Sequence, residues 1–95
     1  MINIKREKNV ITISGHSGYS DAGSDIVCAS VSSIAITTVN AIMKLDSTAI
    51  DFNEKDGFLE ISIKKDDGIV NTLINNMMDL FKELEEDYPK NIKIK

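Results

Sequence analysis

A single cysteine, Cys28, gives this chain no partner for an internal disulfide, which is consistent with a reducing compartment. A single histidine, His16, leaves no clustered nitrogen and sulfur ligands of the kind that close a structural zinc site. No metal and no cofactor are therefore expected. Aromatic residues are scarce, at 5%, and no basic stripe interleaves them, so nucleic acid is not expected as a direct ligand. Acidic residues outnumber basic ones, 15 to 11, with a concentration at Asp79 to Asp87 that suits either plain solubility or a basic partner. The start, Met1-Ile2-Asn3-Ile4-Lys5-Arg6, alternates polar and apolar residues and lacks the apolar core of a signal peptide. No segment reads as long enough to span a bilayer, so no membrane association is expected. The glycines lack the lysine and spacing of a phosphate-binding P-loop. None of the many serines, Ser14, Ser17, Ser20 and Ser24 among them, stands in a G-x-S-x-G setting.

The 95 residues, 42% of them hydrophobic, suffice for one domain over 1–95 and leave no room for a second core. So small a domain exposes apolar surface, and self-association is expected. Ile2 and Ile4, then Ile11 and Ile13, alternate with polar residues around a turn at Glu7-Lys8-Asn9, which predicts a hairpin with one buried face. From Ile26 to Leu45 there is neither proline nor glycine. Val27, Val31, Ile34, Thr38, Ile42 and Leu45 recur there at helical spacing, and so few charges predict a central helix packed on more than one side.

Ile50 and Phe52, then Leu59, Ile61 and Ile63, form a second alternating pair around Lys55-Asp56-Gly57. Asp66-Asp67-Gly68 introduces a second helix, about Ile69 to Asp87, with an apolar stripe of Val70, Leu73, Met77, Leu80, Phe81 and Leu84. Pro89 stops it. Ile92 and Ile94 alternate with Lys93 and Lys95, lysines of the kind that protect an edge strand. The order is ββαββαβ, an α+β fold with a mostly antiparallel sheet and two helices packed against it.

The only cysteine and the only histidine share the window from Gly15 to Cys28, which joins the second strand to the first helix. With Asp25 or Ser24 as the N-cap, Cys28 falls in the first turn, where the helix dipole and free N–H groups favour a thiolate and provide an oxyanion hole. The competing reading is a small buried apolar side chain. His16 begins the loop that could return to the thiol as its proton acceptor; a solvated loop histidine is the plainer alternative. Gly15, Gly18 and Gly23 permit unusual backbone, the close approach of a substrate chain or a moving lid, or simply a turn. Tyr19 either packs beneath the loop or lines an apolar pocket. Asp25 is a helix cap, an orienting partner for the imidazole or a contact for substrate backbone, and Asp21 is a weaker rival for the second role.

At Gly15-His16-x-Gly18-Tyr19, Gly23 and Asp25-Ile26-Val27-Cys28-Ala29, followed by Val31-Ser32, the chain resembles the Prp family, the ribosomal-processing cysteine proteases of Firmicutes and related bacteria. Length and element order are similar over nearly all of the chain. Serines stand at Ser17, Ser20 and Ser30 where the family more often has alanine, small-for-small changes. The resemblance implies a homodimeric cytoplasmic cysteine endopeptidase with a Cys–His dyad. Its implied partner is the N-terminal extension of ribosomal protein L-twenty-seven, cut after an aromatic residue. By position, Cys28 is the implied nucleophile and His16 the general base, with Asp25 matching the acid before the cysteine. The rival class is a non-catalytic peptide-binding module associated with ribosome assembly; a small thiol-dependent esterase is a weaker third.

Overall fold

The computed structural model describes residues 1–16 and 22–95, with residues 16 and 22–25 described by their backbone only. β1 (Ile2–Glu7) and β2 (Val10–His16) pair antiparallel through Ile4↔Ile13 and Arg6↔Ile11. They turn at Lys8, whose φ of 54° is left-handed. α1 (Ala22–Leu45) follows, then β3 (Ile50–Lys55) and β4 (Gly57–Ile63), joined by a turn in which Gly57 has φ 73°. α2 (Gly68–Asp87) and the short β5 (Ile92–Ile94) complete the chain. The five strands lie in the order β3-β4-β2-β1-β5. Three pairings are antiparallel and β5 joins β1 in parallel, so the sheet is mixed with an antiparallel majority.

Alternation places Ile2, Ile4, Ile11, Ile13, Ile50, Leu59, Ile61, Ile63 and Ile92 on the same side of the sheet, all buried. Both helices cover that side. α1 contributes Val27, Val31, Ala35, Val39 and Ile42, and α2 contributes Val70, Ile74, Met77 and Phe81. The stripes are therefore shifted from the expected ones. Ile34 and Thr38 stand on a flank of α1, replaced at the sheet by the smaller Ala35 and by Val39, which let the helix come close. Leu45, at the last residue of α1, is 60% exposed, and Leu80 likewise points outward while Ile74 faces in.

α1 packs on more than one side, on the sheet through its buried stripe and against α2 along a flank, while Ile26, Ala29, Ser33, Thr37 and Asn40 on its outer face are exposed. Its stretch Ile26–Leu45, with mean hydropathy 1.8, is long and apolar enough by composition to cross a membrane, contrary to the expectation that no such segment exists. In this fold its apolar stripe is spent on the sheet.

The two edges of the sheet are finished differently. At β5 the Ile92 N–H donates to the Tyr88 carbonyl at 3.2 Å and the Ile94 N–H to Glu85 Oε2 at 2.8 Å. The terminal turn of α2 and its carboxylate thus occupy N–H groups of that edge strand, and Lys93 is exposed beside them.

Candidate active site

β2 ends with an irregularity. Register shifts between Ser14 and His16, which pairs with Gly57 across the sheet. Gly15 between them has φ 90°, and a Cβ there would run into the Met1 carbonyl oxygen. Glycine is therefore required by both its conformation and its surroundings, and the bulge resets the strand just before the only histidine. The His16 backbone consequently lies at the same end of the sheet as the β3–β4 turn and the start of α1. Its side chain lies outside the described residues, as do Gly18 and Tyr19 entirely.

α1 begins at Ala22, earlier than the expected cap at Ser24 or Asp25. Gly23, Ser24 and Asp25 stand inside the helix and not at its cap. Cys28 is therefore in the second turn, ~9 Å along the axis from the first helical residue, and not in the first. Its N–H belongs to the i→i−4 ladder, and the free donors among the described residues are those of residues 22–24. A helical side chain leans back toward the N-terminus, so the Cys28 thiol is carried toward those donors rather than away from them. The thiol is free and half-buried, and its side chain packs against the edge of the core.

The flank on which Cys28 stands follows from topology. β2–α1–β3 and β4–α2–β5 each join parallel strands, and such crossovers are right-handed. α1 lies against β3 and α2 against β5, with the helices side by side. Counting round α1 from its buried stripe, Ser30, Ile34 and Thr38 turn toward α2. Cys28, Ser32 and Ile36 turn the other way, toward the β3 edge, and all three are half-buried. The repeat of i, i+4 and i+8 was present in the sequence, but its neighbour could be named only once the strand order was known.

The site is thus defined as a thiol on the second turn of a sheet-packed helix, at the sheet end where a glycine bulge delivers the single histidine backbone. That describes a small α+β domain with a cysteine-centred site. The family model for cysteine protease Prp matches residues 1–93, and the chain belongs to that family. A ribosomal processing cysteine protease Prp of Staphylococcus aureus (strain Mu50 / ATCC 700699) is 29% identical over 96 residues, covering 98% of this chain and 91% of that protein.

Solved structures agree. The essential ribosomal processing protease Prp from S. aureus in complex with a substrate peptide superposes with TM-score 0.87 at 26% identity, over 99% of this chain and 95% of that one. The same protease with a covalently linked product peptide gives 0.81 at 27% identity, over 98% and 94%. SMU.848 from Streptococcus mutans gives 0.80 at 27% identity, over 99% and 90%.

Proposed function

We propose that this cysteine protease removes the N-terminal extension of ribosomal protein L-twenty-seven, with Cys28 as nucleophile and His16 as general base. The observation that carries the assignment is arithmetic: a family of cysteine proteases covers residues 1–93, and the chain holds one cysteine and one histidine. The S. aureus relative holding a covalently linked product peptide supports a covalent intermediate.

In this mechanism His16 takes the proton of the Cys28 thiol and the sulfur attacks the scissile carbonyl carbon. The oxyanion forms beside the free backbone N–H groups that begin α1. The imidazolium returns the proton to the leaving amine, the carbon–nitrogen bond breaks, and a thioester remains. Water activated by the imidazole then cleaves the thioester and restores the thiol. Asp25, three residues before the thiol, serves to orient the imidazole or hold substrate backbone.

The weakly polar outer face of α1, with Ile26 at 60% and Met43 at 40% exposure, supports a homodimer, and the lone cysteine a cytoplasmic setting. A peptide spanning the extension and its cleavage junction tests the reading. The native protein is expected to cut it once, with transient covalent capture of the N-terminal product on Cys28. Peptide that is bound tightly but stays intact would favour a non-catalytic binding module, and cutting by Cys28→Ala would remove the nucleophile.

A further inference from the structure

We infer that the β3 edge at Phe52 and Glu54 is the backbone platform on which the extended peptide substrate lies, as an added strand that ends beneath Cys28. The inference rests on the protease reading above and concerns how that site holds its substrate.

The hydrogen-bond phase of β3 follows from its first residues. The Lys64 N–H donates to the Ala49 carbonyl at 2.8 Å, and the register Ile50↔Ile63 and Asp51↔Ser62 continues from that pair. Bonded pairs alternate in an antiparallel ladder, so Asp51, Asn53 and Lys55 direct their N–H and C=O groups toward β4. The Ile63 N–H, donated instead to the Asn9 carbonyl at 2.7 Å, agrees with this phase. Ile50, Phe52 and Glu54 therefore direct their backbone groups outward. Ile50 is covered, at 1% exposure, whereas Phe52 is half-buried and Glu54 exposed. The accessible part of the edge is its second half, and among the described residues nothing bonds to it there. β5 offers the contrast, since α2 already occupies its Ile92 and Ile94 N–H groups.

The accessible half is also the half nearest the thiol. α1 runs antiparallel to β3, and both span the same sheet, so the α1 start lies over the Lys55 end. Cys28, Ser32 and Ile36 form the flank above this edge. Phe52, opposite Ile61, shares the helix side of the sheet, and both Phe52 and Ile36 pack against the core while remaining half-buried. An added strand would place alternate side chains against Phe52 and Ile36. Its backbone would bond to Phe52 and Glu54 and its next residues would reach Cys28, the usual division of labour in strand addition. An apolar substrate residue is then selected a few positions from the cut.

Proline tests this without disturbing the ladder, because the Glu54 N–H points outward and an edge strand tolerates proline there. With the extension peptide as substrate, Glu54→Pro is expected to raise KM about tenfold, the loss of one backbone hydrogen bond. Glu54→Ala keeps the N–H and should raise it by less than a third as much. Independently of folding in the proline variant, amide hydrogen exchange of Cys28→Ala protein is expected to slow at Phe52 and Glu54 when the peptide is added. Unchanged KM in Glu54→Pro, or unslowed amides in the saturated complex, would overturn the platform while leaving the protease intact. Loss of cleavage by the native chain would instead overturn the protease reading itself.

Discussion

The two ends of α1 are built on opposite terms. At the C-terminal end the Asp46 N–H closes the helix on the Ile42 carbonyl at 2.8 Å. Its carboxylate accepts from the Thr48 N–H, the Thr48 hydroxyl and Lys65 Nζ at 2.9, 2.7 and 2.9 Å. The buried Ala49 accepts from both Lys64 and Lys65 through its carbonyl, and two residues further on Asp67 caps α2. Helix, strand and next helix are knotted together within a few residues. At the N-terminal half, the side-chain hydrogen bond of α1 among the described side chains stays inside the helix, from the Ser30 hydroxyl to the Ile26 carbonyl. Position there is held by apolar packing of Val27, Val31 and Ala35 on the sheet. The lesson is a difference of means: among the described residues the site half of α1 is held by apolar packing, and the opposite end is anchored by a polar network.

That difference is tested most severely at the thiol. Cys28→Ala is expected to lower peptide cleavage by at least about 10³-fold. The thermal midpoint should move little, because a half-buried thiol is exchanged for a methyl group. A collapse of the fold in this variant would mean that Cys28 is a packing residue and that the two ends are not distinct. His16→Gln is expected to lower kcat by about 10²- to 10⁴-fold. The pH profile of kcat/KM should lose its limb in the range where imidazole titrates. A profile unaltered in shape would assign the base elsewhere.

The opposite end is expected to respond in the reverse sense. Asp67 accepts from the Ile69 and Val70 N–H groups at 2.9 and 3.1 Å. Asp67→Ala should therefore cost ~1 kcal/mol, a fall in midpoint of about 4–8 °C for a domain of this size. Cleavage by the folded protein at 25 °C should remain at the native rate. Loss of activity without loss of midpoint would show that α2 communicates with the thiol and would undo the comparison.

Much of this plan was legible in the residues because local signals and burial agree. The period-two runs at Ile2–Ile4, Ile11–Ile13 and Leu59–Ile63 each have one apolar set, and both turns carry left-handed residues, Lys8 and Gly57. The family motif around His16 and Cys28 was legible as well. The start of α1 was not, since Asp25 and Ser24 are good caps wherever they stand, and capping chemistry does not say which of several polar residues is used. The choice between Ile34 and Ala35 as the sheet contact was hidden too: both fit a helical period, and only the closeness of the sheet favours the smaller one. Strand order lay furthest from view. That β5 joins β1 in parallel, and that β3 is left as an edge beside the cysteine flank, depend on long-range pairings that no local pattern encodes.

The smallest expected effect lies in acid. The Asp46 carboxyl is lowered from its ordinary 3.8 to about 2, first by the Thr48 hydroxyl, then by the Lys65 and Thr48 N–H bonds. Its folded value is depressed, so the unfolded chain binds more protons in this range and stability rises with pH. The contribution is complete above the unfolded value near 3.8 and is lost as pH falls through about 2. Asp46→Asn removes the titration and should flatten the midpoint-against-pH curve between about pH 5 and pH 2, leaving cleavage at neutral pH unaltered. Salt near 1 M should shrink only the Lys65 share, since the Thr48 bonds are neutral-donor contacts at short range. Equal slopes for both proteins would mean that the knot at the end of α1 is packing around Ala49 rather than the carboxylate. The anchored end would then be held by the same apolar contacts as the site end.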